Sequence, residues 1–251
     1  MKIKIFLLGG YDLEMLTIRK LLEQHNEIFF DGKLRWDNAL LSRYADMLKQ
    51  YANDIRYTVY GVELTEDVSL PRNYYRINHH NEYSDRLSSL EQTAVILGRK
   101  LDREQQLIAA NDRGYIPAMR EMGADDDEIR EIRIADRQSQ GVTTDDEDLA
   151  AIAVANKTAE NGIIIVESAT GRFSPITDSL FPYEKLLIYT NEELIYYGKG
   201  KERLTECFGA EINQGKMYYG GGNNGFIGTK KALFSEEEII GLKNKIVELL
   251  K

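Results

Sequence analysis

The chain has 251 residues, 43% hydrophobic and 29% charged, with a net charge of −9 and one cysteine, Cys207. That composition is of an ordinary soluble protein with room for one large domain or two modest ones, and the acidic balance excludes a broad DNA- or RNA-binding face, which needs clustered Lys and Arg. A lone cysteine excludes an intrachain disulfide and fits a cytoplasmic setting, and no apolar run approaches the roughly 20 residues of a membrane span or the pattern of a secretory signal.

Residues 2–8 are apolar and β-branched enough for a central strand, and Gly9-Gly10 turns the chain. A helix is predicted over 12–24, with Leu13, Leu16, Ile18, Leu21 and Leu22 on one side. A short strand at 27–30 precedes a second helical stripe over 37–51, carried by Leu40, Leu41, Tyr44, Met47 and Leu48. Strands follow at 56–62 and 74–77, the latter running into Asn78-His79-His80-Asn81. Ser88-x-x-Glu91 is a capping box opening a helix over 88–100, and further helices are expected at 103–111 and 125–139. The run Asp125-Asp126-Asp127-Glu128 lacks the ligand spacing of a calcium loop and suits a helix first turn. Strands alternating with helices give an α/β domain, a mainly parallel sheet with helices on both faces, over residues 1–143.

Thr144-x-x-Glu147 reads as another capping box, opening a helix to residue 160 that would connect two domains. Strands at 163–167, 185–189, 193–197, 216–219 and 226–229, with helices at 201–208 and 235–250, make a smaller α+β domain over 161–251.

Two of the three histidines, His79 and His80, stand together at a strand end before a capped helix, where open α/β sheets place ligands. Asp12, Glu63 and Asp112 also fall where elements meet loops, and a doubly wound sheet brings such ends to one edge. Carboxylates with imidazole suit a divalent cation, and two cations about 3.5–4 Å apart would clamp a phosphate and acidify a water. Blander alternatives stand beside each residue. The histidines can line a solvated loop, Asp12 can be only an N-cap, Glu14 can be solvated, Glu63 competes with Glu66 and Asp67, and Asp112 can pair with Arg113. Gly220-Gly221-Gly222 with Asn223-Asn224 allows close backbone approach to a phosphate, or is simply a turn; Tyr219 or Phe226 can stack on a base or fill a core. Gly9-Gly10 lacks the third glycine of a dinucleotide fingerprint.

Asn78-His79-His80 resembles the Asp-His-His signature of the DHH phosphoesterase superfamily, whose members hydrolyse phosphoester or phosphoanhydride bonds with paired divalent metals, commonly manganese. The resemblance implies a metal-ligand role for His79 and a phosphate contact for His80, with Asn78 in place of the family's Asp. Asp12 and Glu14 match the acid pair of the family's first motif, Leu8 stands where its His would be, Glu63 fits the second motif and Asp112 the fourth. The segment 220–225 is similar to the Gly-Gly-Gly-His loop of the domain that accompanies the DHH domain, with Asn223 for the His. The resemblance thus implies metal ligands Asp12, Glu14, Glu63, His79 and Asp112, catalytic roles for His79, His80 and Asp112, and substrate contacts from His80, Gly220, Gly221, Gly222, Asn223 and Asn224. It implies one or two divalent ions, Mn2+ first, in a cleft between the domains. Leu8 cannot ligate, and His25 lies at the wrong end of its helix to substitute. The expected substrate is a small phosphate or short oligonucleotide rather than a long duplex, without membrane involvement, and a homodimer is compatible with the sequence. The alternatives are a ligand-binding protein of the same fold that has lost turnover, and a structural partner in a complex.

Overall fold

Strand β1 (Ile3–Leu8) lies inside a four-stranded parallel sheet in the computed structural model, which describes residues 2–221 and 225–251. It pairs with β2 (Ile28–Asp31) on one side and β3 (Tyr57–Val62) on the other, and β3 pairs with β4 (Tyr74–Ile77). Residues Ile5 to Leu8 are fully buried, as a parallel strand covered on both faces requires. Ile5 and Leu7 join Leu41, Tyr44, Val59 and Leu64 on one face, while Phe6 turns to the other and stacks on Tyr60. The register places Leu8 beside Val62 and Val62 beside Ile77. Three strands therefore stop level with one another, and the loops leaving them share one rim.

Helices α1 (Leu13–Gln24), α2 (Ala45–Tyr51), α3 (Ser89–Leu97), α4 (Arg103–Glu121) and α5 (Asp126–Ser139) complete the first compact unit, Met1–Gly141. The helix expected over 37–51 is a correction: the segment makes two 3-10 turns, Trp36–Asn38 and Leu41–Tyr44, before α2. Its backbone is diverted to the sheet rim, where Leu41 N donates to Thr65 O and Thr65 N to Ala39 O. The apolar stripe there records burial rather than a helix. The helix expected over 103–111 continues to Glu121 across a break at Gly114 and Tyr115, the latter at φ 60. Pro117 follows, and its missing N–H withholds one rung of the hydrogen-bond ladder there.

The second unit, Val142–Lys251, holds a six-stranded sheet in the order β5-β6-β7-β8-β10-β9. These strands are β5 (Thr158–Glu160), β6 (Ile163–Glu167), β7 (Lys185–Tyr189), β8 (Leu194–Gly198), β9 (Met217–Gly220) and β10 (Phe226–Thr229), antiparallel throughout but for β6 with β7. Its helices are α6 (Thr144–Ala155), α7 (Ser174–Leu180), α8 (Lys201–Cys207), α9 (Gly209–Asn213) and α10 (Glu236–Leu249). The capping box of α6 is Thr143 with Asp146, one residue earlier than the spacing suggests. Ala150 and Ala153 of α6 pack against Val166, Ile176 and Leu186, so this helix is part of the second unit's core, and residues 158–160 form a strand rather than its continuation. No helix among the described residues is long and apolar enough to cross a membrane.

Gly9 marks the tightest crossing at the rim. A Cβ there would lie 2.3 Å from the Glu63 carbonyl oxygen and 2.5 Å from that of Val62, both backbone atoms that cannot swing away. Gly9→Ala is expected to lower the unfolding free energy by about 1–3 kcal/mol or more. Gly241→Ala, in α10 with nothing within 4 Å of the added methyl, is expected to raise it by about 0.5–1 kcal/mol. Urea midpoints of the two variants check both signs.

Candidate metal centre

Each strand end at the rim delivers a polar side chain held by its own local structure. Asp12 is the N-cap of α1, its Oδ1 accepting from Met15 N at 2.9 Å, and the first turn of α1 then carries Glu14 inward. Glu14 Oε1 accepts from Leu90 N at 2.9 Å, a donor in the first turn of α3, where the helix dipole favours an anion. Glu63 follows β3 in the left-handed region, φ 52, a strained setting for a residue with a side chain. Beyond β4, Asn78 Oδ1 accepts from His80 N and its carbonyl from Gln92 Nε2, which fixes the turn that aims the two imidazoles. Asp112 comes from α4, two residues before its break.

These side chains meet. His79 Nε2 lies 2.5 Å from Asp112 Oδ2, 3.3 Å from Glu63 Oε1 and 3.4 Å from Glu14 Oε2. His80 Nε2 is 3.4 Å from Glu63 Oε1, and one ligand atom from each of Glu63, His79, His80 and Asp112 lies within 4.8 Å of the others. Glu14 Oε2, Glu63 Oε1, His79 Nε2, His80 Nε2 and Asp112 Oδ2 are all buried, and none makes an aligned hydrogen bond to a described residue. Buried polar atoms left so are rare in folded proteins. Two carboxylate oxygens and two imidazole nitrogens gathered this closely, with Glu14 Oε2 beside His79, fit a divalent cation of the oxygen- and nitrogen-binding kind.

The alternatives weighed from sequence resolve individually. Glu14, Glu63 and His79 are 2%, 4% and 5% exposed, so none is solvated. Asp12 is both an N-cap and buried at the rim. Glu66 pairs with Arg76, Asp67 accepts from Ser42 N, and Arg113 pairs with Glu91 rather than with Asp112. Leu8 is fully buried at the end of β1, and its carbonyl accepts from the Tyr44 hydroxyl. His25 caps the far end of α1. Gly220 ends β9 opposite Phe226 and Gly221 follows at φ 74, whereas Gly222, Asn223 and Asn224 lie outside the described residues.

Sequence reasoning missed a buried network behind Asp112. Arg133 Nη1 donates to Asn111 Oδ1 at 3.0 Å and to Asp136 Oδ2 at 2.7 Å, and Gln140 Nε2 donates to Asp136 Oδ1. The i,i+3 spacing of Arg133 and Asp136 is the available signal, but in a helix so rich in charge it reads as a solvated face.

The electrostatics follow from crowding. Burial pushes the Asp12 carboxyl up to about 7, with Glu63 and Asp112 adding repulsion. Burial also pushes Glu14 well above the carboxylate range, outweighing the help of His79. Burial alone would lower the His79 imidazole, but Asp112, Glu14 and Glu63 around it push it up to about 12. Burial would raise Glu63 as well, yet the two imidazoles hold it at about 2. In the metal-free chain Asp12 keeps its proton in the folded state up to about pH 7 but loses it near 3.8 when unfolded. The folded state thus binds more protons in that window, and its stability falls as pH rises through it, by up to about 1.4 kcal/mol per pH unit. Asp12→Asn, which preserves the cap, is expected to flatten this slope between pH 5 and 7. Urea midpoints in chelator across that range measure it.

No protein-family model matches the chain, and no curated protein does. Among solved structures, a DHH-domain protein described as belonging to a family of ribosomal proteins matches with a TM-score of 0.53 and 14% identity, over 99% of this chain and 87% of its own. RecJ from Thermus thermophilus, solved in complex with Mn2+, matches with a TM-score of 0.44 and 11% identity, over 98% of this chain and 52% of its own. Exonuclease RecJ bound to manganese gives 0.43 and 11%, over 98% and 90%. The first of these likenesses spans nearly the whole chain, and it shows that the chain has the DHH fold.

Proposed function

We propose that this chain is a divalent-metal-dependent phosphoesterase acting on a small or short nucleotide-type substrate, with manganese the first candidate ion. One observation carries the reading: four buried ligand atoms, from Glu63, His79, His80 and Asp112, lie within 4.8 Å of one another, Glu14 Oε2 lies 3.4 Å from His79 Nε2, and none of the five makes an aligned hydrogen bond among the described residues. Glu14, Glu63, His79 and Asp112 would hold the cation, with Asp12 beside them at the rim. When bound, such an ion supplies Lewis acidity towards a phosphoryl oxygen and acidifies water. His80 is the more open imidazole, its side chain 35% exposed, and the neighbouring Glu63 carboxylate raises its pKa. A protonated His80 would donate to a non-bridging phosphate oxygen and offset charge that builds up there during transfer. The turn built by Asn78 keeps that imidazole aimed. The DHH fold of this chain agrees with this chemistry. The net charge of −9 favours a compact substrate over a long nucleic acid.

A second reading, binding without turnover, draws on Leu8, which is fully buried where the family's histidine would stand and offers no ligand atom.

Protein stripped with chelator and assayed on a panel of phosphodiesters, dinucleotides and cyclic dinucleotides is expected to cleave at least one when Mn2+ or Mg2+ is restored, and none without metal. His79→Ala and Asp112→Asn are expected to lower kcat/KM about 100-fold or more, equivalent to about 2.7 kcal/mol of transition-state stabilisation. Retention of Mn2+ with no cleavage across the panel would favour the binding reading, and failure to retain any divalent ion would sink both the metal site and the activity.

A further inference from the structure

Beside the metal centre, and within the first unit, lies a cavity of about 710 Å3 that the proposed chemistry leaves unused. It is bordered by Glu63 and His80 on the side of the metal centre and extends away between Trp36 and Tyr83. Trp36 is 50% exposed yet held in place. Its ring meets His80 edge-on at 5.3 Å, and it fits against Gly10, where any Cβ would come within 2.7 Å of it. A large apolar ring pinned on two sides and open on the rest is a preorganised stacking face. Tyr83 is fixed as well, its ring flanked by the Arg76 and Arg86 guanidinium groups at 4.7 Å and 4.3 Å.

The charges of the cavity select what enters it. Its one arginine or lysine among the described residues, Arg76, is already paired with Glu66, and Glu82 adds another carboxylate. Away from His80, the described lining residues therefore offer no spare cation for a second phosphate, and the nearby Arg86 lies over the Tyr83 ring. They suit an uncharged planar group, with carboxylate oxygens available to accept from an exocyclic amine. A volume of this size accommodates a nucleoside.

We propose that this cavity is the subsite for the nucleobase of the nucleotide-type substrate, with Trp36 as its stacking face. The proposal rests on the phosphoesterase reading for the placement of the phosphate at His80, but not for the existence of the subsite. It identifies Trp36 as a specificity residue that touches the base and takes no part in bond cleavage.

Trp36 is the only tryptophan in the chain, so its fluorescence reports on this wall alone. The whole chain in Mg2+, which does not quench paramagnetically, is titrated with adenosine 5′-monophosphate, ribose 5-phosphate and inorganic phosphate. Saturable quenching by the first and none by the other two is expected. In calorimetry, Trp36→Ala is expected to weaken adenosine 5′-monophosphate about tenfold and Trp36→Phe by less than about threefold, with ribose 5-phosphate unchanged in both. Equal affinity for adenosine 5′-monophosphate and ribose 5-phosphate, no binding of the former, or an undiminished affinity in Trp36→Ala would overturn the subsite. The same proteins separate this from the phosphoesterase reading. Trp36-dependent nucleotide binding without hydrolysis of any ester leaves the subsite standing and removes the activity. Hydrolysis of nucleotide and glycerol phosphodiesters alike, unaffected by Trp36→Ala, leaves the activity and removes the subsite.

Discussion

Three carboxylates gathered around one buried imidazole set the terms for everything at this rim. His79 Nε2 lies within 3.4 Å of oxygens from Glu14, Glu63 and Asp112, and all four atoms are shut away from water without aligned hydrogen bonds to described residues. Like charges brought together out of water repel strongly, and such crowding belongs to functional sites more often than to cores. The surrounding structure can be read as what holds it together. The parallel register stops β1, β3 and β4 level, Gly9 lets the first loop pass against the backbone of Glu63, and the first turn of α3 fixes one oxygen of Glu14. A divalent ion of the right size would convert the repulsion into cohesion.

The departures from the Asp-His-His pattern that the sequence resembles become physical statements once the side chains are placed. Asn78 does not face the cluster with a charge; its amide oxygen takes the His80 N–H and shapes a turn. An aspartate could accept the same bond, so the substitution removes a negative charge while keeping the geometry. Leu8 fills apolar space at the end of β1 instead of offering a ligand, while Glu14, from α1, brings its carboxylate to His79.

Legibility in the sequence followed the range of the forces involved. Signals carried within four residues were plain: the Ser88–Glu91 capping box, the Asp12 cap and the short strand running into the histidine pair all stand where the pattern put them. The parallel sheet followed from the alternation of strands and helices. Segments governed by distant partners were not legible. Residues 37–51 carry a helical stripe but are bent by Thr65. One local signal was displaced by a residue: the α6 cap is Thr143 with Asp146, not Thr144 with Glu147. At the candidate metal centre the residue types were readable and so was their gathering at one sheet edge; the distances and burial were not. Nothing local told Glu66 from Glu63; the difference is that Arg76 neutralises the first, while the second faces the two imidazoles. The bond from Arg133 to Asn111 and the seat of Trp36 on Gly10 both depend on tertiary neighbours that no local spacing encodes.

The spread of the ligands along the chain has a consequence for biogenesis. Glu14 and Asp112 belong to α1 and α4, with Glu63 and the histidines between them. No segment short of that span assembles the cluster, so a nascent polypeptide would offer an ion the complete set only once α4 has left the ribosome. An ion bound at that moment would favour the native state by mass action, and the first unit would then mature fastest where the free cation is abundant.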